Sequence, residues 1–362
     1  MDKNNSMKLI SLSTFYYCSF FLVLQPSCNE PEQKIISQNT ISNIKLATDF
    51  EKRIAGLSFV APPKPFSENA FLEVKKVKAE WIAIIPYGFT KPGEASVHFN
   101  NSSNWRWWGE SLEGVRATID SAHKNNVQVM MKPQVYVPGS WVGAIDFNSD
   151  QEWQAWEKDY AQYIMTFTAI AAEKKVEMVC IGTEFTKSTE KRTAFWKKLI
   201  AEIRQKYSGK LVYASNWNDY STIGFWDDLD FVGIDAYFPL TDDTTPSISV
   251  LEKAWQPYID SLRTFQKRVK KKIIFTEYGY LSVDGCAGKS WELEKRVRSL
   301  HVNEQAQANA IEALWKVCGK ETWWHGGFIW KWYPEGMGHE GHKERDYTPQ
   351  GKLAEKILMN CQ

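Results

Sequence analysis

Residues Lys272 to Tyr280 read KIIFTEYGY, a run of strand-forming residues that ends in a glutamate, an aromatic residue and a glycine. An earlier stretch, Met178 to Phe185, reads MVCIGTEF and ends in the same way. Near-continuous apolar runs of this length are typical of strands that are buried on both faces. Because a carboxylate is rarely placed in such surroundings without a partner or a role, Glu184 and Glu277 are the first candidates for a functional site.

Strand and helix patterns alternate along most of the chain. The predicted strands are residues 53–60, 80–89, 127–137, 178–185, 211–217, 231–240, 272–280 and 326–334. Eight such units in about 310 residues predict an α/β fold, a (β/α)8 TIM barrel, as a single domain over residues 51–362. A doubly wound sheet is the alternative, but it needs fewer strands and a glycine-rich turn after the first strand. GLSFVAPPKP, at the end of the first strand, has one glycine, and this glycine precedes the strand end.

The N-terminal stretch 7–28, MKLISLSTFYYCSFFLVLQPSC, has the pattern of an export signal. It begins with Lys8, continues as a short apolar run and ends at small residues and Cys28. We expect residues 1–28 to be a signal peptide of the lipoprotein type and residues 29–50 to be a polar tether. The protein would then be exported and anchored to a bacterial membrane by a lipid at Cys28, with simple secretion as the alternative.

Composition excludes some partners and suggests another. The 44 Lys and Arg residues balance 43 Asp and Glu residues, so no global charge favours nucleic acid or an anionic membrane surface. Aromatic residues are abundant, with 17 Trp, and several of them lie in the polar stretch NWRWWGE at residues 104–110. Such rings could be core residues, but flat exposed rings also suit the apolar faces of a sugar.

Cysteine spacing gives no sign of a metal site. Cys180, Cys286, Cys318 and Cys361 form no CxxC motif and no Cys/His cluster with metal-ligand spacing, so no zinc site is expected. Cys318 and Cys361 each close a predicted C-terminal helix. They could form a disulfide, and isolated buried thiols are the equal alternative.

In a (β/α)8 barrel the carboxyl ends of the strands share one face, where the chemistry takes place. Two carboxyls about 5 to 5.5 Å apart there suit a retaining glycosidase, and a wider gap suits an inverting one. Structural ion pairs or a carboxylate metal site are the alternatives, although no His lies at these strand ends. The polar and aromatic residues expected at this face are Tyr87, Lys132, Gln134, Glu184, Asn216, Trp217, Asp235, Tyr237, Glu277, Tyr278, Trp330 and Lys331.

Several sequence blocks together resemble glycoside hydrolase family 113. They are RWWGESLEGV, VMMKPQVYV, CIGTEF, YASNWNDY, FVGIDAYFPLTD, IIFTEYGYLSVDG, GFIWKWYP and DYTPQGKLAEKIL, in order over residues 54–358. The resemblance implies a retaining (β/α)8 hydrolase of the endo-β-1,4-mannanase type that acts on a β-linked polysaccharide or oligosaccharide without a cofactor. Hydrolysis of another β-linked glycan, or sugar binding without catalysis, remains as an alternative.

The resemblance also implies roles for individual residues. Glu184 would be the acid/base and Glu277 the nucleophile, with Tyr237 beside the nucleophile and Trp330 as the floor under the sugar. Residues expected at the flanking sugar sites are Trp105, Arg106, Trp108, Lys132, Asn216 and Trp255. Many relatives carry Asn directly before the acid/base, where this chain has Thr183, so Asn216 is expected to contact the substrate 2-hydroxyl instead.

Overall fold

A computed structural model describes residues 52–99, 107–338 and 341–361. The predicted leader and tether, including Cys28, lie outside these residues, as do Trp105 and Arg106. The strands within the described part are β1 (Ile54–Phe59), β2 (Trp81–Ile84), β3 (Tyr87–Phe89), β4 (His98–Phe99), β5 (Gln128–Met131), β6 (Gln134–Tyr136), β7 (Met178–Thr183), β8 (Lys210–Asn216), β9 (Val232–Asp235), β10 (Ile273–Tyr278) and β11 (Trp324–Trp332).

Eight of these strands close into a parallel barrel in the order β1, β11, β10, β9, β8, β7, β5, β2. The first strand pairs with both β2 and β11, so the sheet has no free edge. The helices between the strands cover the outside of the barrel. The predicted (β/α)8 fold is therefore confirmed, and the doubly wound alternative is wrong.

Several of the helices begin at side-chain caps. Ser111 Oγ accepts a hydrogen bond from the Gly114 N–H at 3.0 Å, and Ser149 forms a reciprocal capping box with Glu152. The bounds are α1 (Asn69–Lys76), α2 (Leu112–Lys124), α3 (Asp150–Glu173), α4 (Thr186–Lys191), α5 (Thr193–Arg204), α6 (Ile248–Val269), α7 (Ser290–Glu294), α8 (Glu304–Cys318) and α9 (Leu353–Cys361).

Alternate residues of each barrel strand divide the core into two layers. One layer fills the space between strands and helices, and the other fills the inside of the barrel. Phe328 is central to the inner layer, and a Cβ placed on Gly56 of the neighbouring strand would lie 2.4 Å from the Phe328 ring. The glycine therefore makes room for the ring that fills the barrel at this level.

The second and third predicted strands are each interrupted by a proline. Pro86 separates β2 from β3, and Pro133 separates β5 from β6, because proline has no N–H for the ladder. Beyond the break, β3 pairs with β6 and with β4 in a separate three-stranded sheet. The interruption leaves Lys132 between the barrel strand and this small sheet, at the carboxyl end of the barrel.

Three further observations concern the described residues. Cys318 is buried, Cys361 is partly buried, and both are free thiols, so the structure has the isolated thiols and not the disulfide. Among the helices that the structure describes, none combines the length and apolarity needed to cross a membrane. Over the same residues no group of three or more His, Cys, Asp or Glu side chains is arranged to hold a metal ion.

Candidate active site

Glu184 and Glu277 lie at the carboxyl ends of the fourth and seventh barrel strands. Glu277 belongs to β10 and is 6 % exposed. Glu184 directly follows β7 and is partly buried, and its backbone N–H donates to Ala214 O on β8 at 2.8 Å. Its φ of +54° is left-handed, which is uncommon for a residue with a side chain.

Three side chains donate hydrogen bonds to the carboxylate of Glu277. Lys132 Nζ and Gln134 Nε2 donate to Oε1, and the hydroxyl of Tyr237 donates to Oε2 at 2.8 Å. The donors come from the third and sixth strand ends of the barrel, so the carboxylate is held from two sides. With donors on both oxygens, the carboxylate is fixed in one orientation and its charge is balanced by Lys132.

Lys132 is fully buried and also lies near a second carboxyl group. Its Nζ is 3.6 Å from Asp235 Oδ2, while Asp235 Oδ1 accepts a hydrogen bond from Thr276 Oγ1 at 2.7 Å. Burial alone would lower the pKa of Lys132, but the carboxylates of Asp235 and Glu277 raise it above its usual range. Burial, followed by the charge of Glu277, raises the pKa of Asp235 well above its usual range. Because its own pKa is raised, Lys132 is the positively charged group of this buried cluster.

Glu184 lies in different surroundings. Trp141, in the loop after β6, donates its indole N–H to Glu184 Oε2 at 2.7 Å. The pKa of Glu184 is raised to about 7, first by burial; the hydrogen bond from Trp141 opposes this shift, and the nearby carboxylate of Glu277 adds to it. A carboxyl of this kind can exchange its proton near neutral pH, as a general acid or base must.

The other expected residues fall into separate groups. Trp330, in β11, is partly buried, and Lys331 Nζ lies 5.7 Å from the centre of its ring. Asn216 ends β8 and is also partly buried, and its Oδ1 accepts a hydrogen bond from the backbone of Trp217 at 2.9 Å. Thr183 is buried, and its hydroxyl has no hydrogen-bond partner within the described ranges. The structure therefore places Trp330 and Asn216 at the barrel face.

Two of the expected sugar contacts need correction. Trp255 lies in α6 and is fully buried, with its ring stacked at 6.3 Å on Phe275 between the helix and the barrel, so no sugar can reach it. Lys132 is equally inaccessible and contacts Glu277 instead of a sugar site. Trp108 is partly buried and packs edge-on against Phe66 at 6.1 Å.

One residue in contact with the site is absent from the sequence expectations. Trp141 lies in GSWVG, a glycine-containing and serine-containing turn after the third strand region, and its side chain is 42 % exposed. An aromatic residue in a polar loop is the pattern that predicts sugar binding for the tryptophans at residues 105–108. The same pattern is present at Trp141. The tryptophans expected to bind a sugar therefore did not include Trp141, which contacts Glu184.

A closed (β/α)8 barrel with two glutamates at the ends of its fourth and seventh strands defines the class of barrel glycoside hydrolases. Residues 64–352 match the model of Glycoside Hydrolase Family 113, and the chain therefore belongs to this family. The family resemblance expected from the sequence blocks is confirmed. The comparison with curated protein sequences found no match.

Several solved structures share the fold of this chain. A structure described as a complex of a family 113 β-1,4-mannanase is 23 % identical, with a TM-score of 0.71 over 86 % of this chain and 98 % of that one. The family 113 β-mannanase AaManA from Alicyclobacillus acidocaldarius, in complex with ManMIm, is 23 % identical, with a TM-score of 0.72 over 86 % of this chain and 97 % of that one. A β-glucuronidase from Ruminococcus gnavus is more distant, at 12 % identity and a TM-score of 0.56 over 85 % of this chain and 50 % of that one. At these identities the likeness concerns the fold.

Proposed function

We propose that the protein is a retaining hydrolase of β-1,4-linked mannan or manno-oligosaccharides, with Glu277 as the nucleophile and Glu184 as the acid/base. The observation that carries the proposal is the contrast between the two carboxyls. Glu277 is oriented by Tyr237 and balanced by the cation of Lys132. Glu184 lies where burial raises its pKa to about 7. One group suits attack, and the other suits proton donation.

In the first step Glu277 attacks the anomeric carbon and forms a bond to it, while the bond from that carbon to the leaving oxygen breaks. Glu184 gives its proton to that oxygen, so the leaving sugar departs as a neutral alcohol. The hydrogen bonds from Lys132 and Tyr237 fix the orientation of the attacking carboxylate, which avoids a search among rotamers at the moment of reaction.

In the second step Glu184 acts as a base. It removes a proton from a water molecule, whose oxygen attacks the anomeric carbon and releases Glu277 as a carboxylate. Glu184 is protonated again, and the configuration at the anomeric carbon is retained because it is inverted twice. The carboxyl with a pKa of about 7 is suited to both roles near neutral pH.

The substrate is proposed from the family resemblance and from the two solved structures described as β-mannanases. Loops at the carboxyl face decide which glycan fits, whereas the strand-end glutamates decide the type of reaction. In mannose the 2-hydroxyl is axial. Thr183 is buried and Asn216 lies partly exposed at the next strand end, so we propose Asn216 as the contact to that hydroxyl.

The test is to incubate residues 29–362 with mannohexaose, cellohexaose and xylohexaose and to follow the products by mass and by the anomeric configuration first released. Internal cleavage of mannohexaose with retained configuration is the expected result. Cleavage of cellohexaose or xylohexaose alone would overturn the proposed substrate. Products with inverted configuration would overturn the proposed role of Glu277 as nucleophile. Glu277→Ala should bind mannohexaose without cleaving it, and continued turnover by this variant would rule out its assigned role.

We also propose that the chain is exported and carries a lipid at Cys28, on the signal pattern of residues 7–28. The full chain, expressed in a bacterium with a labelled fatty acid, should incorporate the label and fractionate with membranes. The Cys28→Ser variant should lose the label. A mature chain that begins elsewhere and carries no label would show simple secretion instead.

A further inference from the structure

The loop after β6 brings one exposed aromatic side chain into contact with the candidate acid/base. Trp141 is 42 % exposed, and its N–H donates to Glu184 Oε2 at 2.7 Å. A partly exposed tryptophan whose only polar atom is used in a hydrogen bond can still offer an exposed ring face for other contacts. The contact joins a loop residue to a residue 43 positions away in the sequence.

The hydrogen bond has a defined chemical effect on Glu184. An indole N–H can donate but cannot accept, so it stabilises the ionised carboxylate more than the neutral acid. It therefore opposes the effect of burial on the pKa of Glu184. The ionised form is the one that remains after the proton has been given to the leaving oxygen. The same contact fixes the direction in which the carboxyl points.

The position of the ring depends on a glycine two residues further along. A Cβ on Gly143 would lie 2.3 Å from the six-membered part of the Trp141 ring, so any side chain there would displace the indole. On the loop side a cavity of about 100 Å³ borders the ring and is lined also by Lys91, Ser140 and Asp146. A flat ring with polar groups beside it suits the apolar face and the hydroxyls of a sugar.

We propose that Trp141 orients the carboxyl of Glu184 through its N–H and carries, on its exposed face, the sugar on the leaving-group side. The second part of this proposal rests on the proposed hydrolase function, since Glu184 is next to the leaving oxygen only in that reaction. The first part rests on the hydrogen bond and the glycine contact alone. Trp141 is thus a positioning and sugar-binding residue, distinct from the two glutamates.

Three substitutions separate these roles in kinetics. Trp141→Phe keeps an aromatic face and removes the N–H, so Glu184 should keep its proton to higher pH. The alkaline limb of the pH profile of kcat/KM should therefore move to higher pH. KM should stay near the wild-type value. Trp141→Ala removes the face as well, and KM for the oligosaccharide should rise about tenfold. Gly143→Ala, which keeps the tryptophan but displaces it, should resemble Trp141→Ala.

A spectroscopic measurement tests the contact without any turnover. In ¹⁵N-labelled protein, the indole N–H signal that is lost in Trp141→Phe should shift with pH around an inflection near 7. In Glu184→Gln the same signal should not titrate. Trp291, which is 37 % exposed and stacks on Trp217, is the matched control, and its indole signal should be independent of Glu184.

The outcomes separate the two proposals. If wild-type protein cleaves no manno-oligosaccharide but the indole signal titrates with Glu184, the substrate assignment fails and the orienting role stands. If the indole signal does not titrate and the alkaline limb of kcat/KM in Trp141→Phe is the same as in the wild type, the orienting role of Trp141 is overturned. An unchanged KM in both Trp141→Ala and Gly143→Ala, in an active enzyme, would overturn the sugar-binding role.

Discussion

Lys132 forms an ion pair with Glu277 at the carboxyl end of the barrel, and both side chains are almost completely inaccessible to water. The two residues are 145 positions apart in sequence, and Asp235 is the second carboxyl near the same ammonium group. A buried charge is tolerated when it has a partner, and it becomes costly when the partner is removed. The pair therefore couples the stability of the barrel to the geometry of the proposed nucleophile.

The first prediction concerns this pair. Lys132→Met keeps the length of the side chain and removes its charge, which leaves the carboxylate of Glu277 buried without a counter-ion. We expect the free energy of unfolding to fall by about 3 kcal/mol, and kcat to fall about a hundredfold or more. Urea denaturation and steady-state kinetics measure the two effects. KM should change little, because the lysine cannot reach the substrate.

A matched control for this variant is Lys352→Met. Lys352 is also buried, and its Nζ donates to Ser282 Oγ at 2.7 Å and to Asp346 O at 2.8 Å. Its replacement should lower stability but leave kcat of the folded enzyme near wild type. A comparable loss of kcat in both variants would mean that the effect of Lys132 is general destabilisation.

A second prediction concerns proton donation. Glu184→Ala removes the proposed acid, so oligosaccharides with poor leaving groups should react about 10² to 10⁴ times more slowly. Aryl glycosides with acidic phenol leaving groups need no proton in the first step, and that step should be much less affected. Pre-steady-state release of the phenol measures it. Equal losses for both kinds of substrate would contradict the acid role of Glu184.

A third prediction follows from the raised pKa of Glu184. The folded state holds this proton more tightly than the unfolded chain does, so the stabilising contribution is complete below pH 4.5 and is lost as the pH rises through about 7. Glu184→Gln has no proton to lose, and it should be more stable than wild type at alkaline pH by at most about 3 kcal/mol. Thermal unfolding across the pH range measures the difference, which should vanish in acid.

A fourth prediction separates a core tryptophan from a sugar site. Trp255→Phe leaves a void between α6 and the barrel, and it should lower the free energy of unfolding by about 1 to 3 kcal/mol. KM and kcat for every oligosaccharide should stay at the wild-type values. Changed KM values without a loss of stability would restore Trp255 to the substrate site.

The fold and the two glutamates could be predicted because their signals are local. Each strand is a short apolar run, and the pattern Thr-Glu-aromatic marks the end of two of them, at Glu184 and Glu277. The signal for the placement of Trp255 is also local. Leu251, Trp255 and Ile259 recur at helical spacing and form the buried face of α6. The prediction of Trp255 as a sugar contact was wrong because an aromatic residue at this helical spacing packs into the core.

Other features depend on contacts between distant parts of the chain. Glu277, the partner of Lys132, lies four barrel strands further along the sequence. Nothing in the stretch VMMKPQVYV predicts that the side chain of this lysine points inward. The breaks at Pro86 and Pro133 could have been read from the sequence, because proline interrupts a central strand. The contact between Trp141 and Glu184 could not, since a loop conformation decides it.

The packing of the barrel interior isolates the charged cluster on one side. Beneath Lys132 and Asp235 the inner layer of the core, which includes Cys180, Ile274 and Phe328, is apolar and fully buried. Protons therefore enter or leave the cluster through the open mouth of the barrel, where a glycan would bind. A chain bound at that mouth would therefore lie across the route by which protons reach Lys132, Asp235 and Glu277.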